Sequence, residues 1–223
     1  MKINSFDHVA LWVSDRDRLA RFLCDHVGMH VIEQTDTFTL VGADARRGKI
    51  TLFAADGERD PGPLARVALR VRDLDTAVDS LPEGAEHADG MAVFTAPEGL
   101  EFALCEADGA DYDLDHVILR VPDPEASRRE LATLGLVEEE GGLRAGQAQL
   151  RLERGDPGEP DRPLLNHLAF LVDSAQDHID EARERDLEID DIKDAENTYA
   201  VFIVGPDRVR LEYVEHKPEF ALE

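Results

Sequence analysis

The sequence predicts an α+β fold of four β-α-β-β-β units arranged as two tandem pairs. Three observations carry that expectation. One seven-residue pattern recurs four times along the chain, a helix-start signal follows each copy, and the stretches between units have loop composition.

The four copies run Asp7-His8-Val9-Ala10-Leu11-Trp12-Val13, Ala65 to Val71, Asp115 to Val121 and Asn166 to Val172. Each is a short β-rich run with apolar residues at alternating positions, the period of a strand. Asp15, Asp73, Asp123 and Asp173 each follow the last Val of a copy within two residues, where a carboxylate can cap a helix N-terminus. Helical stretches then begin, as at 18–23 and 124–131, with Pro124 suited to a first turn. Gly28 and Gly135 are natural stops. Short β-type segments at 38–41, 49–53, 91–94, 101–104 and 200–203 complete units of about 50 to 60 residues. Breaks fall at Asp60-Pro61-Gly62-Pro63, at 107–111 and at 155–160. The expected division is an N-terminal pair of units at 1–111 and a C-terminal pair at 112–223.

Composition bounds the function. With 223 residues and 43% hydrophobic content the chain can bury a real core, so global disorder is excluded. Asp and Glu number 49 against 24 Lys and Arg, a net charge of −25, which disfavours binding to nucleic acid or to an anionic membrane surface. Lys2, Lys49, Lys193 and Lys217 are the only lysines, and this acid-rich, arginine-biased composition suggests a salt-loving source. Cys24 and Cys105 match neither a metal motif nor a disulfide framework and are expected as buried thiols. No apolar stretch approaches the roughly 20 residues of a membrane span, so a soluble, cytoplasmic protein is expected. A homo-oligomer is compatible with the sequence.

A candidate site follows from the repeat. His116 and His167 hold equivalent positions in two first strands, so pairing the last two units would bring them together. Glu212 interrupts the β-type run 209–214, and a buried, unpaired carboxylate there would cost several kcal/mol. A divalent cation shared with His116 and His167 supplies a partner, and two His with one carboxylate form the facial triad of non-heme Fe(II) oxygenases. Mn(II) or another divalent metal fits the same set. The N-terminal pair lacks such a set, because His8 stands opposite Arg66 and the Glu212 position holds Ala103. It is expected to be scaffold, with His8 structural.

Four such units, with His at the second position of the first strand, resemble the vicinal oxygen chelate superfamily of glyoxalase I, bleomycin resistance proteins and extradiol dioxygenases. The resemblance spans essentially the whole chain and is closest to the two-domain extradiol enzymes. It implies curled sheets around clefts, metal ligands at His116, His167 and Glu212, and a substrate chelated through vicinal oxygens beside dioxygen. A fourth glyoxalase-type ligand would fall on 147–152, where Gln149 and Arg151 are the inward polar groups, expected to contact substrate. The catalytic histidines of extradiol enzymes have no counterparts here; the comparable stretch holds Lys193, Asn197, Tyr199 and Phe202. Lys193 or Tyr199 would then serve as acid/base, with Asn197 and Phe202 contacting substrate. Three functions stay open: an Fe(II)- or Mn(II)-dependent dioxygenase of the catechol 2,3-dioxygenase type, a glyoxalase-like isomerase or lyase using Gln149, and a small-molecule binding protein of the bleomycin-resistance type.

Overall fold

Each repeat folds into the same five elements. Unit one comprises β1 (Ser5–Val13), α1 (Arg16–Val27), β2 (His30–Gln34), β3 (Phe38–Gly42) and β4 (Lys49–Ala54). Unit two comprises β5 (Leu64–Val71), α2 (Leu74–Val78), β6 (Glu86–Ala88), β7 (Met91–Thr95) and β8 (Glu101–Glu106). Unit three comprises β9 (Leu114–Val121), α3 (Pro124–Thr133), β10 (Val137–Glu139), β11 (Gly142–Ala145) and β12 (Ala148–Arg154). Unit four comprises β13 (Leu165–Leu171), α4 (Ala175–Glu184), β14 (Ile189–Asp194), β15 (Thr198–Val204) and β16 (Arg210–His216). This computed structural model describes residues 1–81, 85–88, 90–109, 111–158 and 163–218. The expected breaks at 107–111 and 155–160 lie partly outside those residues.

The helix starts follow the capping chemistry. Asp15, Asp73 and Asp123 accept from the backbone N–H groups of Arg18, Thr76 and Ala126. Unit four departs from the pattern: Ser174 caps α4, and Asp173 instead accepts from Asn4 and Lys2. Gly28 closes α1 at φ 68°, where a Cβ would meet the Tyr112 ring at 2.6 Å.

Two eight-stranded sheets result. Sheet one has the order β14-β15-β16-β13-β1-β4-β3-β2 and sheet two the order β10-β11-β12-β9-β5-β8-β7-β6. Sheet one therefore joins unit one to unit four, and sheet two joins unit two to unit three. The strand pairing does not follow the expected division at 111/112. Within a unit the first strand pairs in parallel with the last, as β1 does with β4, which leaves its other edge bare. That edge is closed by the first strand of another unit, antiparallel: β1 against β13 and β5 against β9. Nothing in the repeat requires the partner unit to be the one nearest in sequence.

The outward face of each sheet and the helices share one apolar core. Val9, Leu11 and Val13 of β1 meet Leu19 and Leu23 of α1 there, and Val67, Leu69, Leu150, Phe170 and Tyr213 belong to the same cluster. Full burial of each such side chain contributes about 1.5–3 kcal/mol. Glu98 and Asp207, both at positive φ in matching Pro-containing turns, couple the sheets: Glu98 accepts from the Ser14 hydroxyl at 2.7 Å, and Asp207 from that of Ser127. The Pro206-Asp207-Arg208 turn ahead of Glu212 thus serves as a joint. No helix among the described residues is long and apolar enough to cross a membrane.

Candidate metal centre

The concave face of sheet one carries the polar residues that the core excludes. Strand register sets Lys49, His8, Ala169 and Glu212 in one row across β4, β1, β13 and β16, and Thr51, Ala10 and His167 in the next. His8, His167 and Glu212 converge. Nε2 of His8 lies 3.1 Å from Nε2 of His167, and Oε2 of Glu212 lies 2.9 Å from the second ring and 3.3 Å from the first.

Both imidazoles are oriented from behind by the preceding residue. His8 meets the Asp7 carboxylate through Nδ1 at 2.8 Å, and His167 meets Asn166 Oδ1 through Nδ1 at 2.9 Å. An oxygen acceptor requires the proton on Nδ1, which leaves Nε2 of a neutral ring as a bare lone pair. Two such lone pairs and a carboxylate oxygen crowded together repel one another unless a positive charge lies among them. Oε2 of Glu212 is buried without a properly directed hydrogen bond, which fits a donor set built for a cation.

The electrostatics agree. Burial works against a charge on His8, but hydrogen bonding to Asp7 and the nearby Glu212 carboxylate outweigh it and push the imidazole up to about 9. His167 is shifted down, by burial and by the charge on His8. Glu212 falls to about 2 although burial opposes its charge, because both imidazoles favour the carboxylate. Asp7 lies well below the usual carboxylate range against its own burial, chiefly through Lys49. The groups present therefore fit a divalent cation, with His8, His167 and Glu212 able to hold it.

Around this corner the cleft is aromatic. Phe53 lies 6.3 Å from the His167 ring and packs on Trp12 and Phe38 at 5.4 and 6.0 Å between centroids. Phe202 meets His167 edge-on at 5.2 Å and carries the Arg210 guanidinium 3.9 Å above its ring. The fourth corner, equivalent on β4 to Glu212 on β16, is Thr51.

Of the three ligands expected from sequence, the structure brings two together. His116 lies on β9 in sheet two, with Nδ1 on Asp115 at 2.7 Å and Nε2 3.4 Å from Arg151. His8, expected to be structural, stands in its place, because β13 is closed by β1 and not by β9. Gln149 sits opposite His116, so neither it nor Arg151 reaches the corner. Tyr199 packs on the outer core and its hydroxyl donates to Gln176, so it faces away from the cleft. Lys193 is exposed on the edge strand β14 and pairs with Asp191 at 2.9 Å. Asn197 lies in the β14–β15 turn, where its carbonyl accepts from the Lys217 N–H. Phe202 does line the corner.

Two further histidines are held in place, and both thiols differ from expectation. His178 is buried, bonded to the Ser174 carbonyl and stacked on Tyr213. His216 reaches Asp7 at 3.1 Å. Cys24 and Cys105 are free and partly exposed. The residues of this corner that sequence reasoning missed are Asp7, His8, Lys49 and Thr51. The discriminating signal was present in Arg66 and Arg151, which occupy in sheet two the positions of His8 and Glu212 and would repel a cation beside His116.

Comparison with known proteins places this corner in a familiar fold. Residues 5–104 match the family model described as the Glyoxalase/Bleomycin resistance protein/Dioxygenase superfamily, so the resemblance drawn from sequence stands over that part of the chain. No curated protein matches the chain in sequence. Among solved structures, a Bacillus subtilis protein provisionally assigned as a dioxygenase superposes with a TM-score of 0.78 at 15% identity, covering 99% of this chain and 87% of its own. Glyoxalase I from Zea mays gives 0.73 at 18% identity, covering 95% and 92%. The cppA protein from Streptococcus pneumoniae gives 0.62 at 14%, covering 96% and 100%. At these identities the likeness is one of fold.

Proposed function

We propose that the chain is a mononuclear metalloenzyme acting on a small vicinal-oxygen substrate, with His8, His167 and Glu212 as ligands and Fe(II) or Mn(II) as the ion. The supporting observation is the convergence of two bare imidazole nitrogens and one orphaned carboxylate oxygen in a single cleft corner. When bound, such an ion would act as a Lewis acid toward a chelating substrate and leave positions for dioxygen. Asp7 and Asn166 fix the tautomers of the two ligand rings. Trp12, Phe53 and Phe202 offer flat apolar walls that favour a planar substrate and exclude water from it. Thr51 at the fourth corner is a neutral hydroxyl, where a glyoxalase-type site would use a fourth strong ligand, and this favours the oxygenase over the isomerase.

Anaerobic reconstitution with Fe(II), then a panel of catechols, 2-oxo acids and hemithioacetals with oxygen uptake recorded, tests the reading. Oxygen consumption with a vicinal diol is the expected result. Hemithioacetal turnover without oxygen would replace the oxygenase with an isomerase. No turnover, together with unchanged small-molecule binding after all three ligands are removed, would leave a binding protein.

A further inference from the structure

Sheet two repeats the metal corner with its charges reversed. The row Lys49, His8, Ala169 and Glu212 corresponds to Glu101, Arg66, Ile118 and Arg151. The row Thr51, Ala10 and His167 corresponds to Ala103, Ala68 and His116. Of the three positions that present bare acceptors in sheet one, two present guanidiniums here. A guanidinium has five donors, no acceptor and a permanent charge, so it cannot ligate a cation and readily forks onto an oxyanion.

Arg151 has no direct ion-pair partner, although its charge acts through space on the Asp115 carboxylate. Its Nε donates to Gln149 at 3.0 Å and its Nη1 lies 3.4 Å from Nε2 of His116, yet among the described residues no carboxylate stands within ion-pair distance of it. In a chain with 49 acidic residues that is unexpected. Other arginines of this face are paired: Arg66 with Glu101 at 2.5 Å, Arg120 with Glu153 at 3.0 Å, and Arg144 with Glu139. Arg70, buried beside the corner, keeps an Nε with no acceptor and reaches Asp115 only at 3.8 Å. Cys105 offers no compensating charge, because burial and the nearby Asp115 push its thiol up to about 11. Cys105, Asp115 and His116 are close enough to suggest a second cation site, but the surrounding guanidiniums oppose one.

We propose that the corner of sheet two is a small-oxyanion site, taking the carboxylate or phosphate group of a metabolite on Arg151. Arg66 lies two strands away on the same face, about 10 Å between backbones, but its guanidinium is turned to Glu101 and Met91, which leaves Arg151 as the donor for the anion. The site is independent of the metal reading, since it uses none of the same residues.

The test is calorimetric titration of metal-free protein at low chloride with inorganic phosphate and, separately, acetate. The expected result is one oxyanion per chain, with binding at least tenfold weaker in Arg151→Gln, weakened at least threefold but still saturable in Arg151→Lys, and unchanged in Glu212→Gln. Tighter phosphate than acetate identifies a phosphate-bearing ligand, and the reverse a carboxylate. Far-UV circular dichroism of each variant ensures that lost binding is not lost folding; if Arg151→Gln unfolds, at least threefold weaker binding in folded Arg151→Lys supports the proposal and unchanged binding in it overturns it. No saturable binding of either anion, equal binding in wild type and Arg151→Gln, a loss that follows Glu212→Gln, or a metal ion bound at Cys105, Asp115 and His116 would each overturn the proposal.

Discussion

Lys49→Met removes the ammonium from the buried network behind His8 while keeping most of the side-chain volume. Lys49 and Asp7 are each 4% exposed, and Nζ lies 2.9 Å from one Asp7 oxygen and 2.8 Å from the other. At an effective dielectric constant of about 20, a pair at that distance attracts by roughly 6 kcal/mol, much of it offset by the cost of desolvating both ions. Removing one partner leaves the carboxylate buried with only the imidazoles of His8 and His216, and breaking such a pair costs about 3–5 kcal/mol. Because those imidazoles still donate, the lower end, about 3 kcal/mol, is expected. With an m-value of about 2–3 kcal/mol per molar urea, the midpoint should fall by about 1–1.5 M at pH 7. The sign with pH is fixed by Asp7. Its folded-state pKa is depressed, so its contribution is present above the ordinary carboxylate range and is lost as pH falls through the folded value. In the variant Asp7 protonates sooner, so the gap between wild type and variant should narrow as pH drops below about 4. Urea titration followed by circular dichroism at pH 7 and at pH 3 measures both. A loss under about 1 kcal/mol at pH 7, or a gap that widens in acid, would refute the reasoning.

Thr51→Glu supplies a fourth ligand, so chelator competition should show metal held at least tenfold more tightly while oxygen uptake is lost; unchanged metal affinity would mean that Thr51 is not at the corner. The double substitution Arg66→His with Arg151→Glu restores the ligand set in sheet two, and elemental analysis should then find two ions per chain where wild type holds one. Thermal stability should rise from low to molar KCl, because the Debye length shrinks from about 10 Å at 0.1 M to about 3 Å at 1 M and screens the repulsion of a −25 surface. A melting temperature flat in KCl would show that this repulsion does not limit stability.

The repeat was legible because strand alternation, helix caps and Gly or Pro breaks are local signals, with an Asp cap in three of the four units and Ser174 in the fourth. Which unit pairs with which was not, because β1, β5, β9 and β13 present similar bare edges and the choice among them is tertiary. That one ambiguity explains the site. His167 and Glu212 belong to the same unit and were found together, while Asp7-His8 and Asp115-His116 are equivalent as sequence and compete for the third position. Arg151 could have decided between them, since a guanidinium at the Glu212 equivalent marks the cleft of His116 as unfit for a cation. The side on which Tyr199 lies was misjudged for a simpler reason: along β15 the facing side alternates, and Phe202 and Tyr199, three residues apart, point to opposite faces.

The central claim is that one divalent ion is held by His8, His167 and Glu212. Elemental analysis of protein reconstituted with Fe(II) or Mn(II), desalted, and compared between wild type, His8→Ala and His116→Ala tests it most directly. About one ion per chain in wild type and in His116→Ala, with near none in His8→Ala, is the expected result. Metal retained by His8→Ala and lost from His116→Ala would contradict the account.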